Sequence, residues 1–324
     1  MHILVTGGAG YIGSHATKML VEAGHQVTVV DNLSKGYRDA VHPAADFHLA
    51  DIADTETIAK ILRDRQIEGI MHFAALIEVG ESVREPIRYY NNNTGGAIRL
   101  LSAAAQAGVK KFVFSSTAAV YGEPDTVPIT ESNRKSPINP YGTSKWFVER
   151  ILSDHAAADP DFAYSIFRYF NVAGASTDGS LGERHQPESH LIPIVLQAAM
   201  GKRPQITVFG TDYPTPDGTC IRDYIHVEDL CDAHIRVMQQ LRAGDRRVYN
   251  LGIGHGYSVR EVLESAQRVV GHPIPTAIGE RRPGDPARLY ADSTLAQKEL
   301  GWTPRHTDLD EIIGTAWNFL RTRP

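Results

Sequence analysis

A tyrosine and a lysine four residues apart, Tyr141 and Lys145, follow Pro140 at the start of a run that reads as helix. Proline suits a first helical turn, where its missing N–H costs nothing, so residues 141 and 145 come to share one face. Alone, such a pair is an ordinary surface cation–aromatic contact. A second run changes its weight: FVFSST (112–117) is an apolar strand pattern that ends in hydroxyls. Thr117 is placed there to hydrogen-bond a reacting oxygen and to relay its proton.

The other chemical signal is GGAGYIG (7–13), directly after a β-branched run and opening an amphipathic pattern over 11–23. Gly7, Gly10 and Gly13 permit close approach of a pyrophosphate, and the helix that starts at Tyr11 and Ile12 offers it free N–H donors and a positive dipole. Asp31 ends the second run, 18 residues after Gly13. Its carboxylate can accept from both ribose hydroxyls and repels a 2′-phosphate, so NAD is expected rather than NADP unless an arginine intervenes, for which Arg38, several residues away, is the only candidate. Asp51 and Ile52, past the third run, either bracket the adenine or cap the next helix. With a dinucleotide in place, the Tyr–Lys pair acquires a chemistry. A phenol of ordinary pKa near 10 is a poor base at neutral pH; lowering it by about three units takes roughly 4 kcal/mol, which an ammonium and an oxidised nicotinamide together can supply.

These residues need a scaffold that gathers them. Six short apolar or β-branched runs (3–6, 27–30, 47–49, 70–73, 112–115, 164–167) alternate with helical patterns. The rhythm predicts a doubly wound, mostly parallel α/β sheet of Rossmann type, with ligands beyond the carboxyl ends of its strands. After Asn171 the pattern breaks into a Gly- and Pro-rich stretch and shorter elements, read as a smaller α/β lobe. The expected division is 1–175 for the dinucleotide and 176–324 for the substrate, with the segment near 223–250 packing back on the first part. The 324 residues carry a formal charge of -5, which argues against nucleic acid or an anionic membrane as partner. The two cysteines, Cys220 and Cys231, are too few for a disulfide framework. No HxxxH or Cys/His ligand spacing is present, so no metal is expected, and His226 reads as a packed core residue. The opening MHILVTG lacks a basic n-region and a spanning apolar run, which predicts a cytoplasmic protein.

In combination, TGGAGYIGSH (6–15), DNL (31–33), VGESV (79–83), SSTAAVYG (115–122), NPYGTSK (139–145), RYFNVAGA (168–175), RDYIHVEDL (222–230) and RRPGD (281–285) make the chain resemble the extended short-chain dehydrogenase/reductase family along nearly its whole length. Within it, the UDP-galactose 4-epimerases are the most similar. The resemblance implies a catalytic triad of Thr117, Tyr141 and Lys145. It implies cofactor contacts from Asn92, Asn93, Tyr169 and the Phe73-Ala74-Ala75 turn. For UDP it implies Asn171, Arg222, His190 and Leu191 near the diphosphate, Thr207 and Phe209 flanking the uracil, and Arg282 and Asp285 at phosphate and ribose. The reaction implied is inversion at C4 of a UDP-hexose through a transient 4-keto sugar, with NAD regenerated in each turnover. Helices beginning near Glu85 and Pro140 resemble those through which family members pair, implying a homodimer.

Three positions depart from the epimerase pattern. Ile77 stands where some members carry a cofactor-contacting Lys, and His190 where some have Asn. Leu289 replaces a bulky Tyr that walls the sugar pocket, which implies room for N-acetylhexosamines. Two other readings compete. Nucleotide-sugar 4,6-dehydratases share the Tyr/Lys pair but place carboxylates after the catalytic Ser or Thr, where this chain has Ala118 and Ala119. A non-catalytic NAD-sensing protein on the same fold is the third, and intact Tyr141 and Lys145 argue against it.

Overall fold

The computed structural model describes residues 1–281 and 286–322. Its first half runs β1 (His2–Thr6), α1 (Tyr11–Glu22), β2 (Gln26–Asp31), β3 (Asp46–Leu49), α2 (Thr55–Asp64), β4 (Gly69–His72), α3 (Val79–Arg84), α4 (Pro86–Tyr89), α5 (Gly96–Ala107), β5 (Lys111–Thr117), α6 (Pro140–Ala158) and β6 (Ala163–Tyr169). Shorter pieces follow: β7 (Asn171–Ala173), α7 (Leu191–Ala199), β8 (Ile206–Phe209), β9 (Ile221–Arg222), β10 (Tyr224–His226), α8 (Val227–Gln240), β11 (Arg246–Leu251), β12 (Tyr257–Ser258), α9 (Val259–Val270), β13 (Thr276–Gly279), β14 (Arg288–Leu289), α10 (Thr294–Leu300) and α11 (Leu309–Arg321).

Among the described residues, seven strands form one parallel sheet in the order β11-β6-β5-β4-β1-β2-β3. All six runs read from the sequence lie in it, so the expected Rossmann-type sheet is present. The chain winds outward from β1 to β3, then crosses to β4 on the other side of β1. That reversal opens the crevice in which such sheets bind ligands. The seventh strand, β11, pairs with β6, and α8 packs on α1.

Both faces are covered, as a parallel sheet requires. Leu20, Val29, Met71, Phe167 and Leu230 belong to one core, and Ile58, Leu62, Leu100, Val148 and Leu152 to the other. A third core joins α7, α9 and α11 through Leu196, Val262 and Ile312, and makes the smaller lobe. Each such aliphatic side chain contributes about 1.5–3 kcal/mol by leaving water.

One polar cluster interrupts this packing. Arg168 on β6 donates from Nη2 to Glu149 Oε2 on α6 at 2.6 Å, and both residues are buried. Ser116 on β5 donates to Glu149 Oε1 at 2.5 Å, Arg168 Nη1 donates to Tyr121 Oη at 3.0 Å, and Tyr121 donates to Asn250 Oδ1 on β11 at 2.6 Å. The network joins three strands and α6 beside Thr117, at the sheet edge that carries the site.

Candidate active site

The turn after β1 is fixed by its glycines. Gly7 has φ +72°, and a Cβ on it would lie 2.6 Å from Ala74 N; a Cβ on Gly13 would stand 2.2 Å from Gly7 O. With hydrogen there instead, α1 begins against the strand end, and its first N–H groups face a cavity of about 500 Å³ at the carboxyl edge of the sheet. Asp31 holds this turn, its Oδ2 accepting from Ala9 N at 3.0 Å and its Oδ1 from Leu33 N at 2.8 Å. Each oxygen keeps a lone pair for a ribose hydroxyl. A glycine cradle at a helix N-terminus beside a carboxylate fits an adenine dinucleotide without a 2′-phosphate.

Gly7, Gly10, Tyr11, Ile12, Gly13, Asp31, Asn32, Asp51, Ile52, Phe73, Ala74, Ala75, Asn92 and Tyr169 all line this cavity. Asn32 Nδ2 donates to Asp51 Oδ2 at 2.9 Å. The cap of α2 is Asp54, whose Oδ1 accepts from Thr57 N at 3.1 Å, so Asp51 is not that cap. Asn93 is spent elsewhere: its amide accepts from Leu76 N at 2.9 Å and donates to Leu76 O and Ser144 Oγ. Arg38 stacks on Phe47 at 4.4 Å, while Lys35, which the sequence reading passed over, lines the cavity.

The catalytic candidates converge on the same wall. Asn139 caps α6, its Oδ1 accepting from Gly142 N at 2.8 Å, and Pro140 occupies the first turn. Tyr141 and Lys145 thereby face the cavity together with Thr117 at the end of β5, where Thr117 pairs with Tyr169 of β6. The Thr117 oxygen accepts from Ala119 N at 3.1 Å, and its hydroxyl stands near enough to the Tyr141 phenol to favour the phenolate. Lys145 Nζ donates to Ser115 O at 2.9 Å. Without a cofactor, the electrostatics of the protein run against a phenolate. Burial raises the Tyr141 phenol, the bond from Thr117 eases it only partly, and the Glu78 carboxylate raises it further. The protein alone therefore keeps Tyr141 protonated, and a bound cation must supply the difference.

Burial also pulls Lys145 down to about 7. Its native pKa lies below the unfolded value near 10.4, so the buried charge costs stability in full below about pH 7, and stability rises as pH climbs toward about 10. In cofactor-stripped protein, Lys145→Met should stabilise more at about pH 6 than at about pH 9. Urea unfolding at both values checks this; an equal effect at both would overturn it.

On the other side of the cavity stand Asn171, His190, Leu191, Arg222 and Leu289. Thr207 and Phe209 do not line it: they lie on β8, paired with β13 in the smaller lobe. Arg282 and Asp285 lie outside the described residues. The sequence reading missed His185 on this wall, and behind it Glu183 and Glu188, both buried. Burial opposes a charge on His190, but Glu183 outweighs it and raises the imidazole to about 9. His226 is packed away as expected, its Nδ1 accepting from Glu228 N at 3.2 Å and its other nitrogen bonded to Thr315 at 3.2 Å.

A family model described as "NAD dependent epimerase/dehydratase family" matches residues 3–252. The chain belongs to that family. It is 51% identical to the UDP-glucose 4-epimerase of Lactobacillus helveticus over all of its own length and 98% of that protein's. It superposes on the UDP-glucose 4-epimerase of Bifidobacterium longum, solved with NAD+ and UDP, at TM-score 0.95 and 41% identity, covering 100% and 99% of the two chains. On the UDP-Glc/GlcNAc 4-epimerase of Campylobacter jejuni the TM-score is 0.88 at 42% identity, covering 99% of each.

Proposed function

We propose that the chain interconverts UDP-glucose and UDP-galactose by inverting C4 through a transient 4-keto sugar. The observation that carries this reading is the convergence of Thr117, Tyr141 and Lys145 with the glycine cradle on one cavity. NAD bound in that cradle supplies the acceptor and donor of the C4 hydrogen. Tyr141 takes the 4-hydroxyl proton and later returns it, Thr117 aligns that hydroxyl, and Lys145 anchors the end of β5 while adding positive charge to the site. Residues 1–175 hold the dinucleotide and 176–324 the UDP moiety, with 223–250 returning to the first part. Asn171, Arg222, His190 and Leu191 grip the nucleotide end, so that binding energy from UDP is used at the sugar while the ring has few tethers and can present either face. Ile77 stands on the wall where a lysine would otherwise reach the cofactor.

Incubation with UDP-galactose followed by chromatography tests the reading. UDP-glucose is the expected product; a 4-keto-6-deoxy sugar would mark a dehydratase, and no turnover a sensor. Ala118 and Ala119 offer only methyl groups beside Thr117, and Glu78 alone does not make the acid–base pair that elimination needs.

Leu289, on the cavity wall, leaves room beside the sugar, which extends the reading to UDP-N-acetylhexosamines. Leu289→Tyr should lower kcat/KM for UDP-N-acetylgalactosamine at least about tenfold and alter that for UDP-galactose only about twofold, since rejecting extra bulk costs a few kcal/mol. An unchanged preference would discard the pocket-size argument.

The working form is a cytoplasmic homodimer. Val83 and Ile87, on α3 and α4, are 61% and 69% exposed, and Phe147 on the neighbouring α6 is 41% exposed, an apolar face suited to a second copy. Ile87→Glu should shift the mass measured by light scattering from two chains to one. No described helix is long and apolar enough to cross a membrane.

A further inference from the structure

We propose that Glu183, His185, Glu188 and His190 form a site for one divalent transition-metal ion of the zinc type, set in the wall of the active-site cavity. The four side chains come from one loop ahead of α7, and their ligand-capable atoms all lie within 4.8 Å of one another. His185 Nδ1 is 2.9 Å from Glu183 Oε1, and His190 Nδ1 contacts the same oxygen. Glu188 Oε1 stands 3.9 Å from the first imidazole nitrogen and 3.8 Å from the second. Tetrahedral zinc, with N and O ligands at 2.0–2.2 Å, spaces its ligand atoms about 3.3–3.5 Å apart, inside this spread.

His190 Nδ1 bonds Glu183, and Glu188 Oε1 accepts from Ser189 N and His190 N at 2.8 and 2.9 Å, yet hydrogen bonds do not serve the whole cluster. Two carboxylates are buried side by side, and two imidazoles turn the same nitrogen onto a single oxygen. His185 Nδ1 is closed to solvent and makes no hydrogen bond, although it stands within reach of a carboxylate. A buried imidazole nitrogen that faces a carboxylate oxygen without bonding it is a position that a metal ion between the two would satisfy. Two imidazoles and two carboxylates without a thiolate are a donor set for zinc and its neighbours. A second group, His226, Glu228 and His306, lacks this character because both nitrogens of His226 are already bonded.

No metal was expected from the sequence because the ligands follow no helical spacing; a loop, not a helix face, gathers them. The site has a consequence for the cavity. With Nδ1 on the metal, the His190 imidazole is neutral and must carry its proton on Nε2, which makes it a fixed donor on a wall of the cavity.

The test uses the full chain with its cofactor in place, treated with chelating resin and then titrated with Zn2+. About one zinc per chain, by mass spectrometry after gel filtration, is expected, with Co2+ giving tetrahedral d–d bands in its place. Glu183→Gln and His185→Ala should each lower occupancy to below about a tenth, His185→Cys should restore it through a thiolate, and His306→Ala should leave it intact. Circular dichroism and cofactor content report whether each variant folds. Absence of tight zinc in the wild type, octahedral cobalt, or full occupancy in His185→Ala would overturn the proposal. None of these readouts is catalytic, so the failure of this site and of the epimerase reading remain distinguishable.

Discussion

Tyr141→Phe should lower kcat for UDP-galactose conversion by about 10²- to 10⁴-fold, the range that a positioned general base contributes. The substitution removes one oxygen and keeps the ring, so α6 and the cavity should persist and cofactor content should be unchanged. The phenol combines a place beside Thr117, a place on the cavity wall and a proton to exchange. KM should move little, because the UDP end is gripped elsewhere and the lost interaction is made in the transition state. Steady-state kinetics with a cofactor assay on the same sample checks this. A loss smaller than about tenfold would remove Tyr141 from the base role and return attention to Glu78. A further consequence follows from the raised phenol. In the variant, the part of the pH–rate profile that reports deprotonation of Tyr141 should vanish, while binding of the nucleotide should not change.

The parts of this site that were legible in the sequence are those in which local chemistry and chain geometry coincide. Gly7, Gly10 and Gly13 act through the backbone of one turn, and Pro140, Tyr141 and Lys145 through one helix start, so spacing alone brings each set together. The six strand runs carry their own periodicity. The seventh strand does not: β11 (RRVYNL) opens with two arginines and earns its place by register with β6. Asn93 and Asn92 are neighbours in sequence, yet only Asn92 faces the cavity; the chain from Tyr90–Gly95 is wound as a π-helix, and the Asn93 amide turns inward to Leu76 and Ser144. Thr207 and Phe209 were placed at the uracil by resemblance; they lie on β8, paired with β13, outside the lining of the cavity. Lys35 lines the cavity where an arginine was looked for, and Arg38 stacks on Phe47 instead. Glu183 and Glu188 look like surface carboxylates in a polar stretch. Only the folded loop buries them against two imidazoles.

Glu149 and Arg168 were equally silent, and they carry the larger stability prediction. Residue 149 reads as one more charge on a helix and residue 168 as one more basic residue at a strand end, but the fold buries both, with 5% and 6% of their side chains exposed. Arg168→Met should destabilise the protein by about 3–5 kcal/mol, because it leaves the Glu149 carboxylate in the core with Ser116 as its remaining donor in the cluster. Arg168→Met combined with Glu149→Leu should recover most of that loss, since the charge itself is then gone and two apolar side chains fill similar volume. Urea unfolding of the single and double variants measures both numbers. If the double variant falls as far as the sum of the two single ones, the two residues are uncoupled, and the argument from an uncompensated charge fails. The pair also stands under the reacting end of the sheet, where Ser116 precedes Thr117 and Arg168 precedes Tyr169. Movement of the Glu149 carboxylate in the single variant should therefore reach kcat through Thr117, whereas the double variant, with no charge seeking a partner, should regain activity along with stability.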